Sequence, residues 1–498
     1  MSIKPLLSVG IDVGTTSMHL SINRLLLSNV SKIGEPERVV VSGYEKVYAS
    51  PICVTPLTVE GVIDADAILS FIVQQYGRAG VKVDDIASGA VIVTGETAKI
   101  RNAEAVIKQV SSLSGQFVVA SAGPDFESVL AGRGSGAAAY SKDTNKVICN
   151  VDIGGGTTNI AVFKGGVLKS TSAVGLGGRL VRLTEQLKVS KITRSARLCF
   201  EQLRIATESG VVLSRSDVCA LADYAAARLV EAITVSEWTA PFLLTEPLSL
   251  EQSVDEYWFS GGIAQVMRDL SSVRSDTEYG DLGVFLARAL HARLNAIGLC
   301  VIIPPDAIRA TVIGASVHTL QISGSTVWVS ENVLPLSGIP VIEPSTSCAG
   351  MSAAAEQSDR ASRGGRSALP SSVCRPDSED FISRVANCLK GQSLDWAETA
   401  VALSLPDIGR ADYQTTKEWA DLIVTALHRF RARPPYVVIT PHDVAIALGQ
   451  CLRVLIPDAL LVCLDGVSVD GTGVVLDIGR PVAGAAVPVV VKSMVFPT

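Results

Sequence analysis

Two short stretches of the chain combine a carboxylate, glycines and hydroxyls in an order that suits phosphate binding. Asp12-Val-Gly-Thr-Thr16 follows one apolar run, and Asp152-Ile-Gly-Gly-Gly-Thr-Thr158 follows another. Backbone N–H groups inside such a turn bind anions, and glycine is needed where a side chain would meet the phosphate or where φ is positive. An aspartate repels phosphate, so its expected role is to hold a hydrated Mg²⁺ or to orient an attacking water.

Other glycine-containing stretches limit the alternatives. A single Asp-x-Gly turn fits an ordinary hairpin as well as a phosphate site, but two copies with similar flanks favour nucleotide phosphate binding. The P-loop pattern G-x-x-x-x-G-K-[ST] is absent. Gly132-Arg-Gly-Ser-Gly136 resembles a dinucleotide fingerprint but follows a helix-like stretch instead of a strand. Asp477-Ile-Gly-Arg-Pro481 lacks hydroxyls and predicts a turn alone.

Composition favours an α/β class. The chain has 498 residues, 48% of them hydrophobic and 18% charged, which predicts two to four domains with strands buried on both faces. Strand-like runs such as Leu6–Val13, Ala90–Thr94 and Val147–Ile153 alternate with helix-like segments, which indicates βαβ units. The helix-like segments include Ala65–Tyr76 and Ala103–Leu113, and Gly314-Ala315 predicts a glycine turn that opens a further helix.

Several classes of function find no support in the sequence. The net charge is −6 and no long basic stretch occurs, so no nucleic-acid partner is expected. The ten cysteines include no C-x-x-C pair, which favours buried thiols over disulfides or zinc ligands. No uncharged apolar run approaches the roughly 20 residues of a membrane span, and the N-terminus lacks a signal-peptide pattern. A soluble, cytoplasmic protein without a membrane partner is therefore predicted.

A change of composition suggests where the domains divide. Residues 345–378 are dominated by Ser, Ala, Gly and Arg and carry almost no large apolar side chains, which predicts a flexible linker. We therefore expect a first lobe at 1–130, a second lobe at 131–344 and a C-terminal α/β region at 379–498.

The twin turns resemble the phosphate-1 and phosphate-2 signatures of the actin, Hsp70 and sugar-kinase superfamily. In that superfamily two ribonuclease-H-like lobes close over ATP and Mg²⁺, and this resemblance implies the same fold here. Phe259-Ser-Gly-Gly262 resembles the adenosine motif, and Glu127 matches an acidic residue near the attacking water; the alternative for Glu127 is a solvated carboxylate in a first helical turn. The resemblance implies catalytic roles for Asp12, Asp152 and Glu127, metal contacts from Asp12 and Asp152, and nucleotide contacts from Gly14, Thr15, Thr16, Gly154, Gly155, Gly156, Thr157, Thr158, Gly261 and Gly262.

At finer grain the chain is similar to the ethanolamine utilization protein A family, the reactivating factors of ethanolamine ammonia-lyase. The motifs that carry this similarity are "LLSVGIDVGTTS" (6–17), "VIVTGETAKIRNA" (91–103), "FVVASAGPDFESVLAGRGSGAAA" (117–139), "VDIGGGTTNIAVF" (151–163), "RATVIGASVHTLQISGSTVWV" (309–329) and "VPVVVKSMVFP" (487–497). Members of the family use ATP and Mg²⁺ to release damaged cobalamin from the inactivated lyase. The similarity implies ethanolamine ammonia-lyase as the partner and a place beside the ethanolamine-utilization bacterial microcompartment.

Three rival functions use related lobes. A small-molecule kinase needs a catalytic base and an acceptor pocket, neither of which the sequence identifies. An actin-like scaffold has to accommodate the Ser/Ala-rich segment within a filament contact. An iron–sulfur activase needs closely placed cysteines, which the scattered thiols do not provide.

Overall fold

The computed structural model describes residues 6–14, 17–29, 39–58, 62–93, 124–205, 210–318, 320–323, 326–344, 378–406, 412–441, 443–467, 469, 474–481 and 487–493. Several predictions therefore lie outside the described residues, namely Thr15, Thr16, the helix at 103–113 and nearly all of the linker at 345–378. Contacts between Cα atoms divide the chain into two compact units. The larger contains Pro5–Leu26 and Gly43–Thr319, and the smaller contains chiefly Leu320–Val495.

A mixed sheet forms the first lobe of the larger unit. Its strands are β1 (Leu6–Val13), β2 (Ser17–Asn29), β3 (Val39–Ala49), the short β4 (Cys53–Val54) and β5 (Ile86–Val93), in the order β3-β2-β1-β5 with β4 on β2. β1 is antiparallel to β2 and parallel to β5. Val9, Ile11 and Val13 pack against helix α1 (Ala65–Ala79), which leaves the alternate β1 side chains on the opposite face.

The second lobe repeats this strand order. Strands β6 (Val147–Ile153), β7 (Thr158–Lys164), β8 (Val167–Val174), β11 (Glu256–Ser260) and β12 (Val301–Ile302) follow the order β12-β11-β6-β7-β8. β6 is antiparallel to β7 and parallel to β11, as β1 is to β2 and β5. β9 (Val181–Leu183) and β10 (Val189–Ile192) form a separate two-stranded sheet. The helices of this lobe are α2 (Pro124–Gly134), α3 (Ala137–Thr144), α4 (Arg194–Leu203), α5 (Arg215–Thr234), α6 (Gly261–Arg268) and α7 (Gly283–Ala296).

Helix α8 (Ala310–His318) packs on β1 and β5 of the first lobe, whereas α2 packs on β6, β7 and β8. The two helices cross at glycines. A Cβ on Gly134 would lie 1.9 Å from the carbonyl oxygen of Ala310, and one on Gly314 would lie 2.0 Å from that of Leu130. The prediction that Gly314 opens a helix is wrong, because Gly314 lies inside α8, where its missing side chain lets the two backbones touch.

The smaller unit is built on an eight-stranded sheet. Its order is β13-β20-β19-β15-β16-β17-β18-β14, and β15, β16, β17 and β18 run parallel. The expected boundary at residue 344 falls inside this unit, since β15 lies before it and pairs with strands on either side. The strands are β13 (Leu320–Ile322), β14 (Trp328–Val329), β15 (Leu336–Ile342), β16 (Ala402–Ser404), β17 (Tyr436–Thr440), β18 (Leu461–Asp465), β19 (Val474–Ile478) and β20 (Pro488–Ser493), with helices α9 (Ser378–Gly391), α10 (Tyr413–Arg429) and α11 (Ala445–Leu455).

Two expectations from composition can be checked in the described part of the chain. None of the described helices combines the length and the apolar character that a membrane crossing requires. The eight cysteines that the structure describes are all free thiols, but Cys219 and Cys300 are exposed, so burial accounts for only part of the set.

Candidate functional site

The two predicted phosphate turns share one backbone hydrogen bond and one strand register. The Gly14 amide donates to the Ser17 carbonyl at 2.9 Å, and the Gly154 amide donates to the Thr157 carbonyl at 2.9 Å. Across the hairpins, Asp12 pairs with His19, and Asp152 pairs with Asn159 at the same register. The sequence repeat is therefore a structural repeat of one hairpin end.

Asp152 lies in a buried setting at the end of β6. Ser260 Oγ donates to its Oδ1 at 2.7 Å, and Thr311 Oγ1 donates to its Oδ2 at 3.4 Å. Burial raises the pKa of Asp152 to about 6, and the bonds from Ser260 and Thr311 oppose that shift by favouring the carboxylate. The carboxylate is thus held in one orientation by groups from β11 and α8.

The first turn of α8 also contacts the strand that carries Asp12. A Cβ on Gly10 would lie 2.2 Å from the Val312 carbonyl oxygen, so β1 and α8 meet at backbone contact. Ser8 Oγ donates to the Ser316 carbonyl at 2.5 Å further along the same face. The first turn of α8 thus contacts Asp152 directly and also contacts β1, the strand that carries Asp12. The partial positive charge of a helix N-terminus favours anions.

Glu127 is buried in the first turn of α2, with 7% of its surface exposed, so the alternative of a solvated carboxylate is wrong. Asn159 Nδ2 donates to Glu127 Oε2 at 3.0 Å. Asn159 Oδ1 is buried and has no hydrogen-bond partner among the described residues. The residue paired with Asp152 across the hairpin therefore also orients Glu127.

The glycines of the second turn have different surroundings. Gly156 is exposed, and a Cβ there would meet nothing within 4 Å. A Cβ on Gly155 would lie 3.2 Å from Arg179 Cδ. None of Gly154, Gly155 and Gly156 has a positive φ, so close approach, not backbone strain, is what favours glycine at Gly155.

The two threonines of this turn point to different uses. Thr157 is half-buried within the turn, whereas Thr158 is the first residue of β7 and is fully buried. The Thr158 hydroxyl donates to the Leu176 carbonyl at 2.8 Å. The Thr158 hydroxyl proton is thus already donated within the second lobe.

The Gly-Gly pair after β11 opens helix α6. Gly261 has φ +86°, and a Cβ on it would lie 2.4 Å from the Ile153 carbonyl oxygen. Only glycine combines that backbone conformation with so close an approach, and it brings the α6 N-terminus against the end of β6. Gly262 faces open space. The predicted adenosine motif therefore lies beside the second phosphate turn.

His19 is the counterpart of Asn159 in the first hairpin. Neither of its ring nitrogens has a hydrogen-bond partner among the described residues. Burial, helped by the charge of Arg309, lowers the pKa of His19 to about 4. At neutral pH the first hairpin therefore holds a neutral imidazole where the second holds an amide.

Sequence reasoning missed Asn159, Arg179 and Thr311 as contributors to this site, and it named Ser260 only within the predicted adenosine motif. Asn159 has a usable signal, because it follows Asp152 by the same seven positions that separate His19 from Asp12. Arg179 and Thr311 come from distant segments, and no local sequence pattern reveals that they pack here.

The paired lobes, each ending in one of the matching turns, and the helices that cross between them define an actin/Hsp70-type protein, as the sequence predicted. The chain belongs to the family of ethanolamine utilisation protein EutA, whose model matches residues 4–362 and 371–497. The predicted family is therefore confirmed.

Individual relatives agree with this assignment. Ethanolamine ammonia-lyase reactivase EutA of Salmonella typhimurium strain LT2 is 31% identical, with 100% of both chains covered. The protein of the same name from Escherichia coli K12 is 32% identical, again over 100% of both chains. Cell division protein FtsA of Neisseria meningitidis serogroup B is 30% identical over 23% of this chain and 27% of its own.

Solved structures match more distantly. Ethanolamine utilization protein EutJ from Carboxydothermus hydrogenoformans is 16% identical, covering 64% of this chain and 91% of its own, with a TM-score of 0.32. An activator of 2-hydroxyisocaproyl-CoA dehydratase from Clostridium difficile, solved with ADPNP, is 13% identical, covering 63% and 94%, with a TM-score of 0.33.

Proposed function

We propose that this protein is an ATP-dependent reactivating factor that releases damaged cobalamin from inactivated ethanolamine ammonia-lyase, so that intact adenosylcobalamin rebinds. The observation that carries the proposal is membership of the EutA family along nearly the whole chain. Two relatives of full matching length bear the name ethanolamine ammonia-lyase reactivase. The duplicated turns supply a place for the nucleotide that such a cycle consumes.

Within this proposal, the two turns bind the phosphates of ATP and the start of α6 binds the adenosine. Asp12 and Asp152 would hold Mg²⁺, and the fit is chemical, because carboxylate and amide oxygens suit this ion and Asn159 Oδ1 is a buried oxygen without a partner among the described residues. Bound Mg²⁺ would offset the negative charge of the phosphates. Glu127, oriented by Asn159, positions the attacking water. The nucleotide contacts are assigned to Gly14, Thr15, Thr16, Gly154, Gly155, Gly156, Thr157, Gly261 and Gly262. The predicted contact from Thr158 is not kept, because Thr158 is fully buried and its hydroxyl donates to the Leu176 carbonyl.

The chaperone-like step rests on the two lobes. A nucleotide shifts their equilibrium only by binding one arrangement more tightly, and a change from 1:99 to 99:1 requires about 5.5 kcal/mol. Contacts from both turns at once exist only when the lobes are closed. Closure would load a surface that loosens the lyase around its cofactor, and ATP hydrolysis would reset the lobes. We place this work in the cytoplasm, beside the ethanolamine-utilization microcompartment.

The test is reactivation of a lyase that has been inactivated with damaged cobalamin still bound. Adding this protein with ATP, Mg²⁺ and fresh adenosylcobalamin should restore deaminase activity, and leaving out any one component should prevent recovery. A non-hydrolysable ATP analogue should permit one stoichiometric round without turnover. Failure to restore activity with any nucleotide, together with ATP-dependent phosphorylation of a small molecule, would transfer the function to a kinase. Polymer that sediments with ATP would favour the scaffold instead.

A further inference from the structure

A loop from a different part of the second lobe packs on the second phosphate turn. Residues 175–180, "GLGGRL", follow β8, and the amides of Gly178 and Arg179 donate to the carbonyls of Gly154 and Gly155 at 3.0 and 2.5 Å. A Cβ on Gly177 would lie 2.7 Å from both of those carbonyl oxygens. The loop therefore follows the backbone of the turn and fixes where the Arg179 side chain begins.

The Arg179 side chain lies over Gly155. Its Cδ, Cγ and Nη1 atoms lie 3.2, 3.4 and 3.5 Å from the position that a Cβ on Gly155 would take. The side chain is 32% exposed, so the guanidinium is partly desolvated and still reachable from solvent. A cation is thus placed at the hairpin end that carries the buried Asp152, whose carboxylate also accepts a hydrogen bond from Thr311 of α8.

One carboxylate anchors this guanidinium. Arg179 Nε donates to Asp281 Oδ2 at 3.3 Å, and the Gly283 amide holds the other oxygen of Asp281 at 2.8 Å. Burial and the nearby Arg182 charge lower the pKa of Arg179, and the Asp281 carboxylate opposes that shift by stabilising the cation. The Nη groups make no hydrogen bond to the described residues and remain available to a ligand.

We infer that Arg179 contacts the phosphate chain of a nucleotide seated on the second turn, with Asp281 as the positioning residue that aims its guanidinium. This inference rests on the proposed nucleotide binding and adds to it a residue outside both turns. The planar guanidinium donates two parallel hydrogen bonds to phosphate oxygens, which a lysine cannot reproduce. Through this contact, bound phosphate would interact with the 175–180 loop and, by way of Asp281, with the start of α7.

The competing explanation is that the Arg179–Asp281 pair only holds the loop in place. The two explanations differ in ligand dependence. A direct contact beyond the α-phosphate weakens ATP and ADP and leaves AMP nearly unchanged when it is removed, whereas a distorted loop weakens all adenine nucleotides alike.

The experiment measures the affinities of ATP and ADP by calorimetry, and of AMP by competition against ADP, for the full-length parent and its variants. Arg179→Ala should weaken ATP and ADP by about 10- to 100-fold and AMP by less than about 2-fold. Arg179→Lys should fall between the parent and Arg179→Ala, and it keeps the test open if the alanine variant fails to fold. Asp281→Asn should weaken ATP and ADP more than AMP. Arg197→Ala is the matched control, since Arg197 is an exposed arginine of α4 in the same lobe, and it should bind all three ligands like the parent.

Two results would overturn the inference. One is an equal loss of affinity for ATP, ADP and AMP, and the other is an unchanged ATP affinity in both Arg179→Ala and Arg179→Lys. Failure of the proposed nucleotide binding looks different. In that case the parent protein itself binds neither ATP nor ADP.

Discussion

The two hairpin ends of this protein share a backbone hydrogen bond and a strand register but have different neighbours. Each places an aspartate one residue before the strand ends, closes with the same amide-to-carbonyl bond and aligns the aspartate with the same register position on the next strand. In the second hairpin that partner is Asn159, which holds Glu127. In the first it is His19, whose ring nitrogens have no partner among the described residues.

This difference shows how a duplicated motif acquires distinct roles. The second hairpin is surrounded by groups that orient a carboxylate, among them Ser260 and Thr311 on Asp152. The first hairpin packs by its strand backbone on α8, and its buried imidazole lies near the charge of Arg309. We therefore expect the second hairpin to carry most of the chemistry and the first hairpin to add binding contacts to the phosphates.

The largest expected effect is on the paired aspartates. Asp152→Asn should lower ATP hydrolysis by roughly 10³-fold, because it removes a preorganised charge from the metal side of the site. Asp12→Asn should also largely abolish hydrolysis. Its loss should be smaller than that of Asp152→Asn, because we expect the second hairpin to carry most of the chemistry. Steady-state phosphate release measures both, and circular dichroism checks that the fold is intact.

Asp477→Asn is a matched control for these variants, because Asp477-Ile-Gly repeats the local sequence of Asp152-Ile-Gly in the smaller unit. It should hydrolyse ATP at the parent rate. Parent-like hydrolysis by either Asp12→Asn or Asp152→Asn would remove that residue from the metal assignment.

The next effect concerns Glu127, which Asn159 of the second hairpin orients. Glu127→Gln keeps the size of the side chain and should lower kcat for ATP hydrolysis by roughly 10²-fold, the usual contribution of a positioned general base. Affinity for ATP, measured by calorimetry, should stay close to that of the parent. A loss of affinity as large as the loss of kcat would make Glu127 a binding residue and weaken the contrast between the hairpins.

The sequence predicted the two hairpins better than it predicted the residues that contact them. Asp-x-Gly turns after apolar runs are local patterns, so both hairpins and the α/β class could be inferred. The Arg179–Gly155 contact, the Thr311–Asp152 bond and the Gly134–Gly314 crossing join residues far apart in the chain, and local patterns carry no record of them. The role of Gly314 was mistaken for this reason, since a helix-packing glycine looks like a turn glycine until its partner is known.

The third effect is on stability and belongs to the first hairpin. His19 has a folded-state pKa of about 4, against 6.5 for an ordinary histidine, so the unfolded chain binds more protons between these values. Stability should therefore be fully present above pH 6.5 and fall as the pH drops towards 4, by roughly 2 kcal/mol at pH 5. His19→Asn makes the first hairpin resemble the second and should remove this part of the acid sensitivity.

Urea unfolding of the parent and His19→Asn at pH 8 and pH 5 measures that difference. Asn159→Gln, a change at the same register position of the second hairpin, is the control and should keep the acid sensitivity of the parent. Identical pH dependence in the parent and His19→Asn would show that the pKa of His19 is not lowered in the folded protein.

The smallest expected effect tests how the second turn uses Gly155. Its backbone is not in the left-handed region, and the nearest atoms to an added Cβ belong to Arg179, so Gly155→Ala should act mainly by displacing that side chain. ATP affinity measured for Gly155→Ala, Arg179→Ala and the double variant should then be non-additive, with a coupling of about 1 kcal/mol. Gly156→Ala, whose Cβ would meet open space, is the control and should add independently to Arg179→Ala. Additive losses for Gly155 and Arg179 would mean that the methyl group meets the phosphate itself, and the second turn would then need its glycine for the ligand and not for the guanidinium above it.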